Sequence, residues 1–417
     1  MAKKKEKESV KETFGISDDV IRAYALKNAV EHEGKAVMGS VISPLFAEGL
    51  KKENVKDISS RISFIVTEVN KMSPELQKVE LEQLQKLIGH REVRNPDELP
   101  ELPGAVKGKV IMRFAPAPSG ALHIGHIISN MISSLFVKKY GGKFYIRIED
   151  TNPETTDSKA YENIKEDCDW LFGNVSEYII QSDRVDVYYK YAAELIEKKA
   201  AYVCTCDSEA FKKLADNMKE CACRKLSIEE NKSRWQKMLD KKGYKPGEAV
   251  LRFKSDIKDP NPAMRDFPLA RVNEHKHPKQ DKKYRVWPLM NLSVTCDDID
   301  YGMTHVIRGK DHRDNAERQK MIFKALGKEK QFPWTFFMGR VKFTDVVLSK
   351  RKIKAAIERG EYEGFEDIRL PTIASLRKRG YKPEAFAKLA TMRGLTEVDK
   401  VWSQKDLFDV LDRFNKK

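Results

Sequence analysis

The run Arg113-Phe-Ala-Pro-Ala-Pro-Ser-Gly-Ala-Leu-His-Ile-Gly-His126 constrains this chain more than any other stretch. An apolar strand over residues 110–114 has to end at Pro116, Pro118 and Gly120, because proline removes a ladder donor and glycine admits the turn. Beyond Leu122 the apolar residues Ile124, Ile127, Ile128, Met131, Leu135 and Phe136 recur at helical spacing. His123 and His126 therefore share one face of the first helical turn. Such a turn offers unpaired N–H groups and a positive dipole end to an anion. Two imidazoles there can donate to phosphate oxygens, and Gly125 leaves room for a base or ribose against the backbone. Taken alone, a His-x-x-His pair also suits a helix cap or half of a metal site.

A second strand, residues 143–148, follows Gly141-Gly142 and ends in Glu149-Asp150-Thr151-Asn152-Pro153. Strand, helix and strand with a right-handed crossover make half of a doubly wound sheet, which binds ligands at the carboxyl ends of its strands. Arg113 and the Glu149-Asp150 pair fall at such ends. A guanidinium and a carboxylate facing one crevice can hold the carboxylate and the ammonium of an amino acid. No Gly-x-Gly-x-x-Gly turn follows the first strand, which sets aside a dinucleotide-binding dehydrogenase.

With 417 residues and 41% hydrophobic content, the chain can build two or more cored domains. It has no run of 18 apolar residues and no signal-peptide core, so it reads as soluble and cytoplasmic, with no membrane partner. A net charge of +15 favours a polyanionic partner. Four of the six cysteines form two close pairs, Cys204 with Cys206 and Cys221 with Cys223. Two Cys-x-Cys pairs separated by one helical segment can supply four thiolates to tetrahedral zinc, the other reading being four free or packing cysteines. Cys168 and Cys296 read as ordinary buried residues.

Several runs carry a family resemblance. The stretch from Arg113 to His126 resembles the His-Ile-Gly-His signature of class I aminoacyl-tRNA synthetases, in the glutamyl and glutaminyl subgroup. Arg147-Ile-Glu-Asp-Thr-Asn-Pro153 resembles the subgroup's amino-acid-binding strand end, and Thr304-His-Val-Ile-Arg-Gly-Lys-Asp311 is a long match to it. Val347-Leu-Ser-Lys-Arg351 resembles the second class I motif, Lys-Met-Ser-Lys-Ser in consensus. Ala25-Leu-Lys-Asn-Ala-Val-Glu-His-Glu-Gly-Lys-Ala36 resembles the N-terminal extension of archaeal-type glutamyl enzymes. The run from Asp367 to Ala385 resembles the stem-contact helices that follow the second motif.

The resemblance implies an α/β fold: a doubly wound Rossmann-type class I catalytic domain with an inserted acceptor-binding domain, a helical N-terminal domain and a helical C-terminal stem-contact region. The expected boundaries are a disordered basic tail over 1–17, the helical N-terminal domain and its linker over 18–104, and the first catalytic half over 105–205. The insertion, with its zinc knuckle, follows over 206–284. The second catalytic half spans 285–340, and the catalytic loop and stem-contact region 341–417. In this reading Tyr284 to Pro288 resumes the parallel sheet, which continues through Met290 to Thr295, and His275 and His277 lie in a solvated loop. Nineteen Lys and Arg stand against twelve Asp and Glu in residues 340–417, where an RNA stem is expected to lie.

Carried onto this chain, the family's chemistry assigns catalysis to His123, His126 and Lys350. ATP contacts fall to Pro116, Ser119, Gly120, His123, Gly125, His126, Ser349, Lys350 and Arg351, and glutamate contacts to Arg113, Glu149, Asp150, Met290 and Arg308. Glutamyl enzymes of this kind typically have an arginine at the position of Arg308, which pairs with a carboxylate and would leave a donor unsatisfied against an amide. Met290 stands where the family often has tyrosine, and Ala117 where it often has Ser, Asn or Glu. The implied partners are ATP, Mg²⁺, Zn²⁺ at Cys204, Cys206, Cys221 and Cys223, glutamate, and tRNA(Glu), with tRNA(Gln) left open. tRNA binding is implied to precede adenylate formation.

Archaeal-type glutamyl enzymes normally continue as anticodon-reading β-barrels, and no barrel pattern precedes Phe414-Asn-Lys-Lys417. Three readings stay open: an unread anticodon, a separate anticodon-binding polypeptide, or glutamylation of a modified tRNA base, as in glutamyl-queuosine synthetases. A glutaminyl enzyme and a catalytically retired tRNA-binding relative are further alternatives. A small-molecule nucleotidyltransferase would not need the inserted and basic C-terminal regions.

Overall fold

The computed structural model describes residues 12–13, 15–88, 95–345 and 350–416. It divides into two units, Met1–Arg94 and Asn95–Lys417. Among the described residues no helix is long and apolar enough to cross a membrane.

In the first unit a two-residue ladder of β1 (Glu12–Thr13) and β2 (Ile16–Ser17) precedes four helices: α1 (Asp18–Glu31), α2 (Met38–Leu45), α3 (Val55–Asn70) and α4 (Pro74–Leu84). The helical periodicity is satisfied by a core of Ile21, Leu26, Val41, Leu45, Ile58, Ile62 and Val69. Ser17 caps α1 by accepting from Val20 N at 3.3 Å. Buried amides hold the α1–α2 connection: Asn28 Oδ1 accepts from Val37 N (2.8 Å), and Gln77 Nε2 donates to the carbonyls of Gly34 and Val69 (2.9 Å each). Ile16 is buried in this core, so regular structure begins inside the stretch 1–17 that composition assigns to a tail. Residues 1–11 lie outside the described residues.

The second unit is built on parallel strands. β3 (Val110–Phe114), α5 (Ile124–Tyr140), β4 (Gly142–Ile148), α6 (Ala160–Phe172) and β5 (Glu177–Ile180) follow in order, with β4 between β3 and β5. The α5–β4 turn requires glycine, since a Cβ on Gly142 would stand 1.9 Å from Val110 O. After α7 (Val185–Glu197) come four antiparallel strands, β6 (Ala201–Cys204), β7 (Val250–Phe253), β8 (Pro268–Val272) and β9 (Val286–Pro288), side by side in that order. α8 (Ser208–Asp216) and α9 (Ile228–Leu239) lie between β6 and β7 in sequence.

The chain returns through α10 (Met290–Asp300) to β10 (His305–Gly309), α11 (Arg313–Ala325) and β11 (Trp334–Met338), with β10 and β11 parallel. Ile111 N donates to Thr304 Oγ1 (2.9 Å) and Thr304 N to Ile111 O (3.0 Å), which seats β10 beside β3. Strands thus run outward from β3 in both directions, and the crevice forms where the order reverses. β12 (Val341–Phe343) pairs in parallel with β13 (Lys400–Trp402). The helices α12 (Lys350–Glu358), α13 (Ile373–Lys378), α14 (Pro383–Arg393) and α15 (Gln404–Asn415) complete the unit, and Phe386 and Leu389 of α14 join Ile128 and Ile132 of α5 in one core.

Two expectations are corrected here. Residues 286–288 form the edge strand of the antiparallel sheet, and residues 290–300 are helical, so the inserted sheet spans 201–288 and not 206–284. A short apolar run such as Val286-Trp-Pro288 fits the edge of either sheet, and pattern alone does not give its partner. The stretch after Asn95 is also no free linker. Leu102 is buried, its N–H donates to Tyr140 Oη (3.1 Å), and Pro103 O is 3.0 Å from His305 Nε2.

Away from the crevice, Asp167 of α6 is only 3% exposed. Burial pushes its carboxyl up to about 7, while Arg377 pulls it down. The folded state therefore keeps a proton that the unfolded chain releases near pH 4, and stability falls as pH rises from there to about 7. Asp167→Asn is expected to raise the melting temperature at pH 8 and to leave it nearly unchanged at pH 4. Thermal melts of both proteins at the two pH values check this.

Candidate active site

The carboxyl ends of β3, β4, β10 and β11 and the start of α5 surround a cavity of about 500 Å³. Arg113 leaves the end of β3 only 5% exposed and clamps Asp298 of α10, with Nε 2.9 Å from Oδ1 and Nη2 3.2 Å from Oδ2. Arg147 of β4 is fully buried. It donates to the same Asp298 Oδ1 (2.5 Å) and to Glu149 Oε1 (3.0 Å), and lies 3.8 Å from Asp297 Oδ2. Asp297 also accepts from Gln181 (2.8 Å), Arg184 (2.8 Å) and Tyr188 (2.9 Å).

These adjacent carboxylates titrate in opposite directions. Burial would raise Asp298, but Arg113 and then Arg147 overcome it and hold the group down at about 2. At Asp297 burial prevails over Arg147 and Arg184, and its pKa is raised. Burial also opposes the charge on Arg147, which Asp298, Glu149 and Asp297 nevertheless hold firmly protonated.

Arg308, at the end of β10, is the third guanidinium and is differently placed. Its Nη1 donates to Gln319 Oε1 (2.8 Å), its Nε is buried without a partner, and among the described residues no carboxylate lies within ion-pair distance. Burial, then repulsion from Arg113, lowers its pKa to about 10. A partly buried cation with an unmet donor is complementary to an incoming carboxylate.

At the other side of the cavity, α5 is capped by its own histidines. His123 Nδ1 accepts from Gly125 N (3.2 Å) and His126 Nδ1 accepts from His123 N (3.2 Å), with the two rings 3.8 Å apart. This is a capping box made by imidazoles in place of the usual Ser and Glu. In a neutral ring, Nδ1 accepting from the backbone leaves the N–H on Nε2. The turn is held from outside as well, since Ile124 N donates to Pro371 O and Ile373 N to Leu122 O (3.0 Å each).

Of the residues singled out from sequence, Arg113, His123, Gly125, His126, Glu149, Met290 and Arg308 all line this cavity. Pro116, Ser119 and Gly120 do not. They shape the turn, Pro116 O accepting from Glu149 N (3.0 Å) and Ser119 N donating to Ala117 O (2.9 Å). Asp150 faces away from the cavity, fully buried, accepting from Ser182 N (2.7 Å) and Tyr161 Oη (2.6 Å). His277 is not solvated either: it is buried, 4.8 Å from the Trp287 ring, with Nε2 2.9 Å from the Asp150 carbonyl. Ser349, and the side chains of Lys350 and Arg351, lie outside the described residues. Sequence reasoning missed Arg147, Asp297, Asp298 and Gln319. An arginine inside the apolar run Phe144-Tyr-Ile-Arg-Ile148 was the available signal, because such a charge needs a buried counter-ion.

In the inserted sheet the four paired cysteines converge, their sulfurs all within 4.8 Å of one another. Cys204 and Cys221 are 3.9 Å apart and Cys206 and Cys223 3.8 Å. Arg234 Nη1 (3.3 Å) and Thr205 N (3.5 Å) donate to Cys223.

A family model for class I tRNA synthetases (E and Q), catalytic domain, matches residues 109–415. The chain belongs to this family. The glutamate–tRNA ligase of Methanothermobacter thermautotrophicus is 41% identical over 392 residues, covering 94% of this chain and 70% of that protein. Its counterpart in Methanocaldococcus jannaschii is 43% identical over 395 residues, again covering 94% and 70%. Among solved structures, a glutamate tRNA ligase from Elizabethkingia meningosepticum in complex with its amino acid shares the fold at 22% identity. Its TM-score is 0.51, with 74% of this chain and 69% of that one covered. In this synthetase the parallel strands thus belong to the class I catalytic domain.

Asp298→Asn in this synthetase leaves Arg113 and Arg147 without their shared counter-ion. We expect a loss of about 3–5 kcal/mol, read from urea unfolding at pH 7. Because Asp298 is held below its ordinary value of 3.8, its contribution is complete above pH 4 and disappears as pH falls toward 2. The gap between wild type and variant should close over that interval.

Proposed function

We propose that this chain activates glutamate with ATP and transfers it to the 3′ end of tRNA(Glu). The observation that carries this reading is Arg308, a partly buried guanidinium at a strand end whose Nε is shielded from solvent without a partner and which no carboxylate of the described residues pairs. The naming of the archaeal relatives as glutamate–tRNA ligases supports the choice of amino acid.

In this mechanism ATP lies along the start of α5, with the Nε2–H groups of His123 and His126 toward its phosphates, Gly125 beneath the ribose or base, and Ser349, Lys350 and Arg351 on the triphosphate. Mg²⁺ bound with the nucleotide would supply neutralisation of phosphate charge. The side-chain carboxylate of glutamate pairs with Arg308, its ammonium with Glu149, and Arg113 steadies that wall of the pocket. An α-carboxylate oxygen attacks the α-phosphorus, the bond to the β-phosphate bridging oxygen breaks, and glutamyl-adenylate and pyrophosphate result. The terminal ribose hydroxyl of tRNA then attacks the activated carbonyl and AMP leaves. No protein nucleophile is needed, because positioning and charge stabilisation supply the rate.

Incubating the purified chain with total tRNA and labelled glutamate or glutamine tests this. The expected product is glutamate on tRNA ends, abolished by periodate pretreatment of the tRNA, with glutamine used poorly. His126→Ala and Lys350→Ala are each expected to lower the rate at least about a hundredfold, the scale of losing a transition-state donor. Preference for glutamine, or near-normal rates in both variants, would sink the assignment. Sequencing the charged species shows whether tRNA(Gln) is also an acceptor.

The cysteine cluster fits Zn²⁺. Bonds of about 2.3 Å to four thiolates in a tetrahedron put sulfurs roughly 3.8 Å apart, close to the two shortest separations given above. Cys204, Cys206, Cys221 and Cys223 would hold the ion, which would cross-link the β6 edge to the turn before α9. Elemental analysis of the purified protein should find one zinc per chain, lost in Cys221→Ser together with several degrees of melting temperature. A metal-free wild type of unchanged stability would count against it.

A further inference from the structure

We infer that Gln319 is a positioning residue that holds Arg308 in place as an unneutralised cation, and that it thereby sets the preference for glutamate over glutamine. The inference rests on the activity proposed above. Gln319 is 3% exposed on α11. Its Oε1 accepts from Arg308 Nη1 at 2.8 Å, and its Nε2 donates to Asn291 Oδ1 at 3.3 Å. Asn291 Nδ2 donates in turn to Asn315 Oδ1 at 3.3 Å. This chain of amides orients Gln319 so that the carbonyl end, and not the amino end, meets the guanidinium. Asn291 follows Met290, which lines the cavity, and Arg308 lines it too.

A neutral acceptor does two things here that a carboxylate would not. It immobilises one edge of the guanidinium through a hydrogen bond to a charged group. It also leaves the full positive charge for the ligand. The two other arginines of the cluster, Arg113 and Arg147, already share Asp298, so of these three Arg308 is the one left without an ion-pair partner among the described residues. Arg393, which also lines the cavity, bonds the carbonyls of Gly339 and Val398. A glutamate at position 319 would answer Arg308 from inside the protein, compete with the substrate's side-chain carboxylate and remove the reason to reject an amide.

The test is steady-state tRNA charging by wild type, Gln319→Glu and Gln319→Met, with kcat and KM measured separately for glutamate and glutamine and folding checked by thermal melts. Gln319→Glu is expected to raise the glutamate KM about tenfold or more, with kcat less affected, and to lower the glutamate-to-glutamine ratio of kcat/KM by a similar factor. Gln319→Met, which keeps the volume and the net charge but removes the acceptor, is expected to raise the glutamate KM while the ratio is largely kept. Unchanged KM in Gln319→Met overturns the positioning role. Parallel losses for both amino acids in Gln319→Glu, or an unchanged ratio, overturn the selectivity role. A wild type that charges no glutamate overturns the activity and this inference with it, and that result is visible before any variant is made.

Discussion

One carboxylate between two guanidinium groups holds the crevice together. Asp298 accepts from Arg113 at the end of β3 and from Arg147 within β4, so neighbouring strands of the sheet are tied to one point on α10. Removing three charges from water carries a penalty that only close, multiply bonded geometry offsets. Sharing has a second effect. Near the cavity three arginines face Asp298 and Glu149, and Glu149 is itself paired with Arg147. Of these three, Arg308 is the one with no carboxylate at ion-pair distance among the described residues.

Helix α10 links this electrostatic centre to the inserted sheet. It begins directly after β9, the last strand of that sheet, and within its 11 residues it presents Met290 to the cavity, Asn291 to Gln319, and Asp297 and Asp298 to the arginines. Displacement of the β9 edge along the helix axis would move all four groups together. Further contacts brace the same junction: Asn273 donates to Glu154 (2.7 Å), and His277 packs on Trp287 while bonding the Asp150 carbonyl. Asp150, beside the cavity-lining Glu149, thus anchors the insertion and lies outside the cavity lining.

The local elements were legible in the sequence where periodicity and breakers agree. β3 begins at Val110 and ends at Phe114 as read, and α5 follows the Pro/Gly turn. The cysteine pairs converge although 14 residues lie between them. Sheet membership was not legible: an apolar triplet such as residues 286–288 carries no record of its neighbours, and the helical character of residues 290–300 was hidden because nearly every side of that helix is buried. The ion network was invisible for another reason. Arg113 and Asp298 are 185 positions apart, and only the fold brings them to one place. Conversely, Asp150 looks like chemistry in one dimension and lies outside the cavity lining in three, and His277, which reads as a solvated loop residue, is buried.

The capping of α5 by His123 and His126 makes the first turn of the helix and the protonation state of the rings a single property. Each Nδ1 is an acceptor from a backbone N–H, and an imidazolium has no acceptor to give. Charging either ring would set two donors against each other, so this cap requires an unprotonated Nδ1 on each ring. In the proposed activity an anion at the start of α5 would meet the N–H dipoles of the helix end, and the two rings, fixed by the same backbone groups, would contribute direction to its binding.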